Sequence, residues 1–123
     1  LEDRLIRLSL KGGVEGVYGT FEGLAPDALR ELGDRLKNGY RGEGLVILLA
    51  SVEGTNVQII AMADDNAVAK GVAAGKIVKE ASSLLGGGGG GRPNLAQGGG
   101  KDPAALPKVF AAFQAWVEGQ IRS

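Results

Sequence analysis

LGGGGGGRPNLAQGGGKD, residues 85–102, is the stretch on which the reading of this chain turns; nine of its eighteen residues are glycine. An ordered-looking core, Arg92-Pro93-Asn94-Leu95-Ala96-Gln97, sits between the two glycine blocks. A flexible linker is made of Gly and Ser and has no use for an apolar anchor, a Pro or a Gln. Glycine at this density permits φ > 0 and tight reversals, and it removes side chains so that another backbone or a ligand can come close. Runs of bare N–H groups can also form concave anion sites. Composition alone leaves two readings: a disordered hinge between two helices, or an ordered loop shaped for close approach.

Immediately upstream, Asp64-Asp65-Asn66 offers N-cap oxygens to a long helix running through about Leu85. Val68, Val72, Val78, Ala81 and Leu85 mark its buried side. Gly71 and Gly75, one turn apart, would let it press against the sheet or a ligand. Lys76, Lys79 and Ser83 fall on one polar face at i, i+3, i+7. Downstream, Asp102-Pro103 starts a turn and Pro107 opens the last helix. Phe110, Phe113, Val117 and Ile121 stripe one side of that helix, with Val109 and Trp116 beside them. The stripe reads most simply as core.

Further out, Leu45-Val46-Ile47-Leu48-Leu49-Ala50 is a continuous apolar run, the mark of a strand covered on both faces. Glu53-Gly54-Thr55-Asn56 turns it into a second strand, Val57 to Met62. Pro26 at the first helical position, with Leu29, Leu32 and Leu36 at i, i+3, i+7, predicts a helix that stops at Asn38-Gly39. Glu31 and Arg35 form an i,i+4 pair on it, and Arg35, Lys37 and Arg41 gather at its end, where cations complement the helix C-terminus. Val17 to Glu22 reads as a strand with Val17, Gly19 and Phe21 on one face, Gly19 leaving a gap for a neighbour. Ile6, Leu8 and Leu10 alternate ahead of a Gly12-Gly13 turn, but Leu1, Leu5 and Leu8 also fit helical spacing. Residues 1–12 are therefore a first strand or the end of an upstream linker, and 13–123 a single domain. The order β-β-α-β-β-α, loop, α predicts an α+β fold: a mostly antiparallel or mixed sheet of four to five strands with three helices packed on it.

A chain of 123 residues, 44% apolar and 23% charged, fits one ordinary domain. It starts at Leu1 and its only methionine is Met62, so it is expected to be a segment of a longer protein. There is no apolar run of membrane-spanning length and no signal-peptide layout. The absence of cysteine and histidine excludes disulfides, thiolate chemistry, the usual zinc sites and every His-based triad. A cytosolic setting fits. Charge is uneven: residues 1–69 carry seven Lys/Arg against eleven Asp/Glu, residues 70–123 seven against three. A polyanion would meet the second half.

The glycine run contains a GxGxxG match by density alone, but it follows a helix where a dinucleotide site needs a strand. Gly99-Gly100-Lys101-Asp102 lacks the hydroxyl residue that a phosphate-binding P-loop places after its lysine. Asp64-Asp65 suits helix capping better than a cation. No nucleophile has an adjacent base. The residues describe a binding or interaction domain with no catalytic site, metal or cofactor.

GGGGGGRPNLAQGGGKDPAAL, residues 86–106, resembles the signature near the C-terminus of alanyl-tRNA synthetases: a glycine string, Arg-Pro, an Ala-Gln pair and a second glycine block. Phe21-Glu22-Gly23-Leu24, Ala28 to Leu32 and the Lys70-to-Leu85 helix resemble the same C-terminal domain in order. That domain (C-Ala) belongs to the DHHA1 superfamily, and the likeness covers about Gly13 to the end. Two departures stand out. Asn94 replaces the usual Asp after Arg-Pro, removing a negative charge. The Gly-Gly-Gly-His motif of the DHH phosphoesterase branch is absent, since the chain has no histidine. The resemblance implies a DHHA1-like fold and a non-catalytic domain that holds alanine tRNA at the outer corner of its L, letting the aminoacylation and editing modules of the parent work on one tRNA in the cytoplasm. It also implies a part in dimerisation.

With that implication, Lys76, Lys79, Arg92 and Lys101 are expected to face phosphates, Asn94 and Gln97 to add hydrogen bonds, and Gly86, Gly87, Gly88, Gly89, Gly90, Gly91, Gly98, Gly99 and Gly100 to bring backbone close to the RNA. Alternatively, Arg92 and Gln97 lock the loop onto its own fold. Two other functions compete: an oligomerisation module with Phe110, Phe113 and Trp116 as its seam, and a nucleotide-binding accessory domain of a phosphoesterase.

Overall fold

Every residue from Leu45 to Ser51 is buried, because the strand they form is covered on both faces. The computed structural model of the chain describes residues 2–122. Leu1, part of the alternative helical spacing, and Ser123 lie outside the described residues. The elements are β1 (Ile6–Ser9), β2 (Glu15–Glu22), α1 (Pro26–Gly39), β3 (Leu45–Glu53), β4 (Asn56–Ala63), α2 (Asp65–Ala69), α3 (Ala74–Leu84), β5 (Gly88–Gly91), β6 (Leu95–Gly100) and α4 (Leu106–Gln120). Short 3₁₀ turns lie at Glu2–Arg4, Lys11–Gly13 and Pro103–Ala105.

The strands form one mixed sheet in the order β1-β2-β3-β4-β6-β5. β2 and β3 are parallel, joined by the α1 crossover, and the other neighbours are antiparallel. Alternation along the strands sends side chains to two cores. Leu45, Ile47 and Leu49 pack with Ile60, Met62, Val17 and Phe21 beneath Leu29, Leu32 and Leu36 of α1. Val46, Leu48, Ala50, Val57, Ile59 and Ala61 face α2, α3 and α4 on the other side.

The α1 stripe is buried as its spacing predicts. Its surface ion pair is Arg30–Asp34 at 3.9 Å rather than Glu31–Arg35, and Arg41 donates to the Asn38 and Tyr40 carbonyls at the helix end. The gap at Gly19 is filled: a Cβ there would lie 3.0 Å from the Leu5 side chain. Asp64 caps α2, its Oδ1 accepting from Ala67 N–H at 2.9 Å and from Leu45 N–H at 3.0 Å.

Two expectations change. The helix from Asp64 to Leu85 is two helices, broken at Lys70–Ala73, where Gly71 takes φ +111° and the Gln120 carbonyl oxygen occupies the space of a Cβ. The glycine stretch is not a loop. Its two glycine blocks are β5 and β6, paired from Gly88↔Gly99 to Gly91↔Ala96, with β6 also paired to β4. The described residues thus hold six strands and four helices, against the four to five strands and three helices expected.

Candidate nucleic-acid interface

The glycine hairpin and α3 are built as one unit. α3 has no capping side chain at its N-terminus. Instead Ala74 N–H donates to the Pro93 carbonyl at 2.8 Å and Gly75 N–H to the Arg92 carbonyl at 3.1 Å, so the hairpin tip caps the helix. At the other end, Gly87 N–H bonds the Ser82 carbonyl at 2.9 Å, while Lys101 and Asp102 N–H groups share the Leu85 carbonyl at 2.9 and 3.1 Å. An eleven-residue helix spans about 16 Å and a six-residue strand about 20 Å, so the hairpin runs the length of the helix and satisfies both its ends.

The two hairpin faces differ. Gly89, Gly91, Gly98 and Gly100 turn towards α3 or the neighbouring backbone, and none has room for a Cβ. At Gly89 it would stand 2.6 Å from the Gln97 carbonyl oxygen and 2.9 Å from Val78 Cγ1. Gly89 and Gly98 face Val78 of α3 and Gly100 faces Leu85 at the end of that helix, while Gly91 is closed off by Leu95 and Ala96 of β6. Gly88 and Gly90 are different: a Cβ on either meets nothing within 4 Å, and their φ is not positive. Neither packing nor backbone geometry requires glycine there.

Cross-strand register places Gly90, Gln97 and Ile60 in one row and Gly88, Gly99 and Gln58 in the next, both on the α1 side. The result is a patch of exposed backbone rimmed by the exposed amides of Gln97 and Gln58. It borders a cleft of about 650 Å³ between the N-terminus of α1, the β3–β4 turn and the hairpin base, lined by Pro26, Ser51, Asn56, Gln58, Gly99 and Lys101. A smaller hollow of about 270 Å³ continues along α1 past Leu29, Ile60 and Gln97.

The expected site residues do not share one face. Lys76 and Lys79 are exposed on α3, on the opposite side of the sheet from Gln97. Arg92 and Asn94 are exposed at the hairpin tip, next to the first turn of α3. Their backbone carbonyls hold the tip in place, Asn94 accepting from Ala63 N–H at 3.1 Å, while the Arg92 guanidinium extends into solvent. Lys101 is occupied: its Nζ donates to Asn56 Oδ1 at 2.5 Å, tying the hairpin base to the β3–β4 turn. Sequence reasoning missed Gln58, whose signal was a lone polar residue between buried Val57 and Ile59. It also missed the split between glycines that packing requires and glycines that it does not.

Of the last helix's aromatics, Phe113 is fully buried, while Phe110 and Trp116 are half-buried against the same core. Tyr18 stacks on Phe110 with ring centroids 4.6 Å apart. No helix among the described residues is long and apolar enough to cross a membrane, and none of their acidic side chains form a group of three or more able to hold a metal.

Residues 13–119 match the model of the DHHA1 domain. The chain is 51% identical over 96 residues to alanine–tRNA ligase 1 of Lachnoclostridium phytofermentans, covering 78% of this chain and 11% of that one. It is 48% identical over 119 residues to the alanine–tRNA ligase of Alkaliphilus oremlandii, covering 97% and 13%. The chain thus spans about an eighth of the length of these relatives. Among solved structures it resembles the C-Ala domain of alanyl-tRNA synthetase from Aquifex aeolicus, with a TM-score of 0.83, 31% identity, and 93% and 99% of the two chains covered. A DHH-domain member of the s1p family of ribosomal proteins matches with a TM-score of 0.67 at 21% identity, covering 98% of this chain and 29% of that one, a likeness of fold alone.

Proposed function

The chain belongs to the DHHA1 domain family, and from that premise we propose that it is the non-catalytic, tRNA-holding C-terminal domain of an alanine–tRNA ligase. Its partners are alanine tRNA, gripped at the outer corner of the L, and the remainder of the synthetase, whose aminoacylation and editing modules then act on one bound tRNA in the cytoplasm. The names of the relatives support this reading.

The observation that carries it is the open face at Gly88 and Gly90. Glycine inside a strand costs about 0.5–1 kcal/mol relative to alanine. Two glycines that nothing in the fold requires suit a partner that must touch the backbone itself. Folded RNA offers such a partner, presenting flat base and sugar surfaces with 2′-hydroxyls and phosphates, and it is recognised largely by shape. Gln97 and Gln58 would bond sugar and base edges at the rim. Arg92, Lys76 and Lys79 would meet phosphates around the tip and the back of the hairpin. Lys101 would act chiefly by holding the hairpin base.

The test is fluorescence anisotropy of labelled alanine tRNA with the wild-type chain and with Gly88→Leu and Gly90→Leu. A Cβ meets nothing within 4 Å at either position, so both variants are expected to fold and to bind at least about tenfold more weakly. Wild-type affinity in either would show that the bare face is not the contact surface.

Self-association is a second reading, favoured by Ile6, 49% exposed, standing opposite Tyr18 and its stacked Phe110. Light scattering over a concentration series measures it. An accessory role beside a DHH phosphoesterase would call for the histidine this chain lacks.

A further inference from the structure

We propose that Gln120, in the last turn of α4, is a positioning residue for the hairpin tip; its consequence for RNA binding rests on the tRNA reading above. Gln120 clasps the backbone of Ala73 from both sides: Ala73 N–H donates to Oε1 at 3.2 Å, and Nε2 donates to the Ala73 carbonyl at 3.3 Å. Ala73 immediately precedes α3, sits at φ −132°, ψ 108°, and has no capping side chain of its own. Without the clasp, the partly buried Ala73 N–H would lose its partner, while the Ala73 carbonyl would keep the Lys76 and Ile77 N–H groups of α3 at 3.2 and 3.4 Å.

Fixing Ala73 fixes the direction of the next two N–H groups. Ala74 and Gly75 aim theirs at the Pro93 and Arg92 carbonyls, at 2.8 and 3.1 Å. Those carbonyls belong to the turn that projects the Arg92 and Asn94 side chains. Hydrogen bonds, joined by the peptide link between Ala73 and Ala74, therefore run from Gln120 through the first turn of α3 to the tip. No acidic residue in the first turn of α3 and no side-chain cap offers another way to orient it.

The anchor is itself held. Arg122 N–H donates to the Lys70 carbonyl at 2.9 Å, and Lys70 Nζ donates to the carbonyls of Gly12 and Glu43, each at 2.8 Å. Gly71 leaves room for the Gln120 carbonyl against the chain. The joint between α2 and α3 is thus a fixed mount rather than a hinge, and Gln120 is the side chain that connects it to the tip.

Two measurements on Gln120→Ala and Gln120→Glu test this. The first is amide hydrogen exchange in the free chain. Gln120→Ala is expected to speed exchange at Ala74, Gly75 and Arg92 about tenfold while β3 and β4 amides keep their protection. Gln120→Glu, which keeps the acceptor and loses the donor, should fall between. Unchanged exchange at those three amides, or a uniform rise across the domain, would overturn the proposal and leave Gln120 a general stabiliser. The second is tRNA affinity in two backgrounds. Gln120→Ala should weaken binding about fivefold in the wild type and change it by less than about twofold when Arg92 is already alanine. Equal losses in both backgrounds would show that Gln120 does not act through the tip. If the exchange result holds while the wild-type chain has no affinity for tRNA at any salt, the tRNA reading fails and the positioning role stands.

Discussion

Gly75 in α3 and Gly91 in β5 meet backbone against backbone: a Cβ on Gly75 would stand 2.5 Å from the Gly91 carbonyl oxygen. Replacing an exposed helix glycine by alanine ordinarily gains up to about 1 kcal/mol. At Gly75 the sign reverses, because the added methyl must push the helix off the hairpin. Gly75→Ala is expected to destabilise the domain by about 2 kcal/mol in urea unfolding. Gly119→Ala in α4, exposed and with nothing within 4 Å of its Cβ, should stabilise it by about 0.5–1 kcal/mol. Equal effects would mean that the helix does not rest on the strand.

The glycines of β5 should divide by parity. Gly89→Ala, aimed at Val78 and the Gln97 carbonyl, is expected to cost at least about 2 kcal/mol. Gly88→Ala and Gly90→Ala should leave stability unchanged or raise it by up to about 1 kcal/mol. Thermal unfolding of the three variants decides it. A destabilised Gly88→Ala would mean the open face has a structural use after all.

Ser82 of α3 is fully buried against Gly98, and its Oγ has no hydrogen-bond partner. A buried unpaired hydroxyl is a burden on the fold. Ser82→Ala also suits a helix better. It should raise stability by about 1 kcal/mol in urea unfolding, and a loss of that size would show that the hydroxyl has a partner.

Asp64 holds two N–H groups from different elements, Leu45 at the start of β3 and Ala67 in α2. Asp64→Ala removes a cap and orphans a partly buried donor, at an expected cost of about 2–3 kcal/mol. Asp64→Asn keeps the Oδ1 acceptor and should lose less than half of that. Comparable losses for both variants would show that the charge, rather than the geometry, carries the contribution.

Binding to alanine tRNA should weaken steeply with salt, since phosphate contacts release counterions. Arg92→Ala is expected to lower the slope of log K against log salt by about 1, and Lys76→Ala/Lys79→Ala by about 2. Lys101→Met, whose ammonium already serves Asn56, should change the slope least. A slope untouched by Arg92→Ala would remove the hairpin tip from the interface.

Much of the scaffold was legible in the residues. The unbroken run from Leu45 to Ala50 marked the strand covered on both faces, and the leucine spacing of α1 marked the stripe it buries. Asp64 marked a cap, and Phe113 and Val117 marked core. The site was less legible. Lys76, Lys79, Arg92 and Gln97 are candidates by residue type alone, and their distribution over two faces and a tip depends on where the hairpin lies. Gln120 carried no sequence signal, because a polar residue near a helix end looks like surface until its partner Ala73, 47 positions away, is brought to it.

What the sequence determined by itself was the order of elements through β4, the apolar faces of the helices and the family to which the glycine signature points. Side chains write those features locally, through period, caps and turn residues. What the tertiary structure decided was the state of the glycine blocks and the break after α2. A glycine strand has no side chains with which to alternate, so nothing along β5 announces it. It becomes a strand because β6 pairs with it and the bare face of the hairpin lets α3 lie against it. The break at Gly71 likewise belongs to the tertiary structure, where its φ of +111° and missing Cβ let the Gln120 carbonyl at the end of α4 lie against the chain.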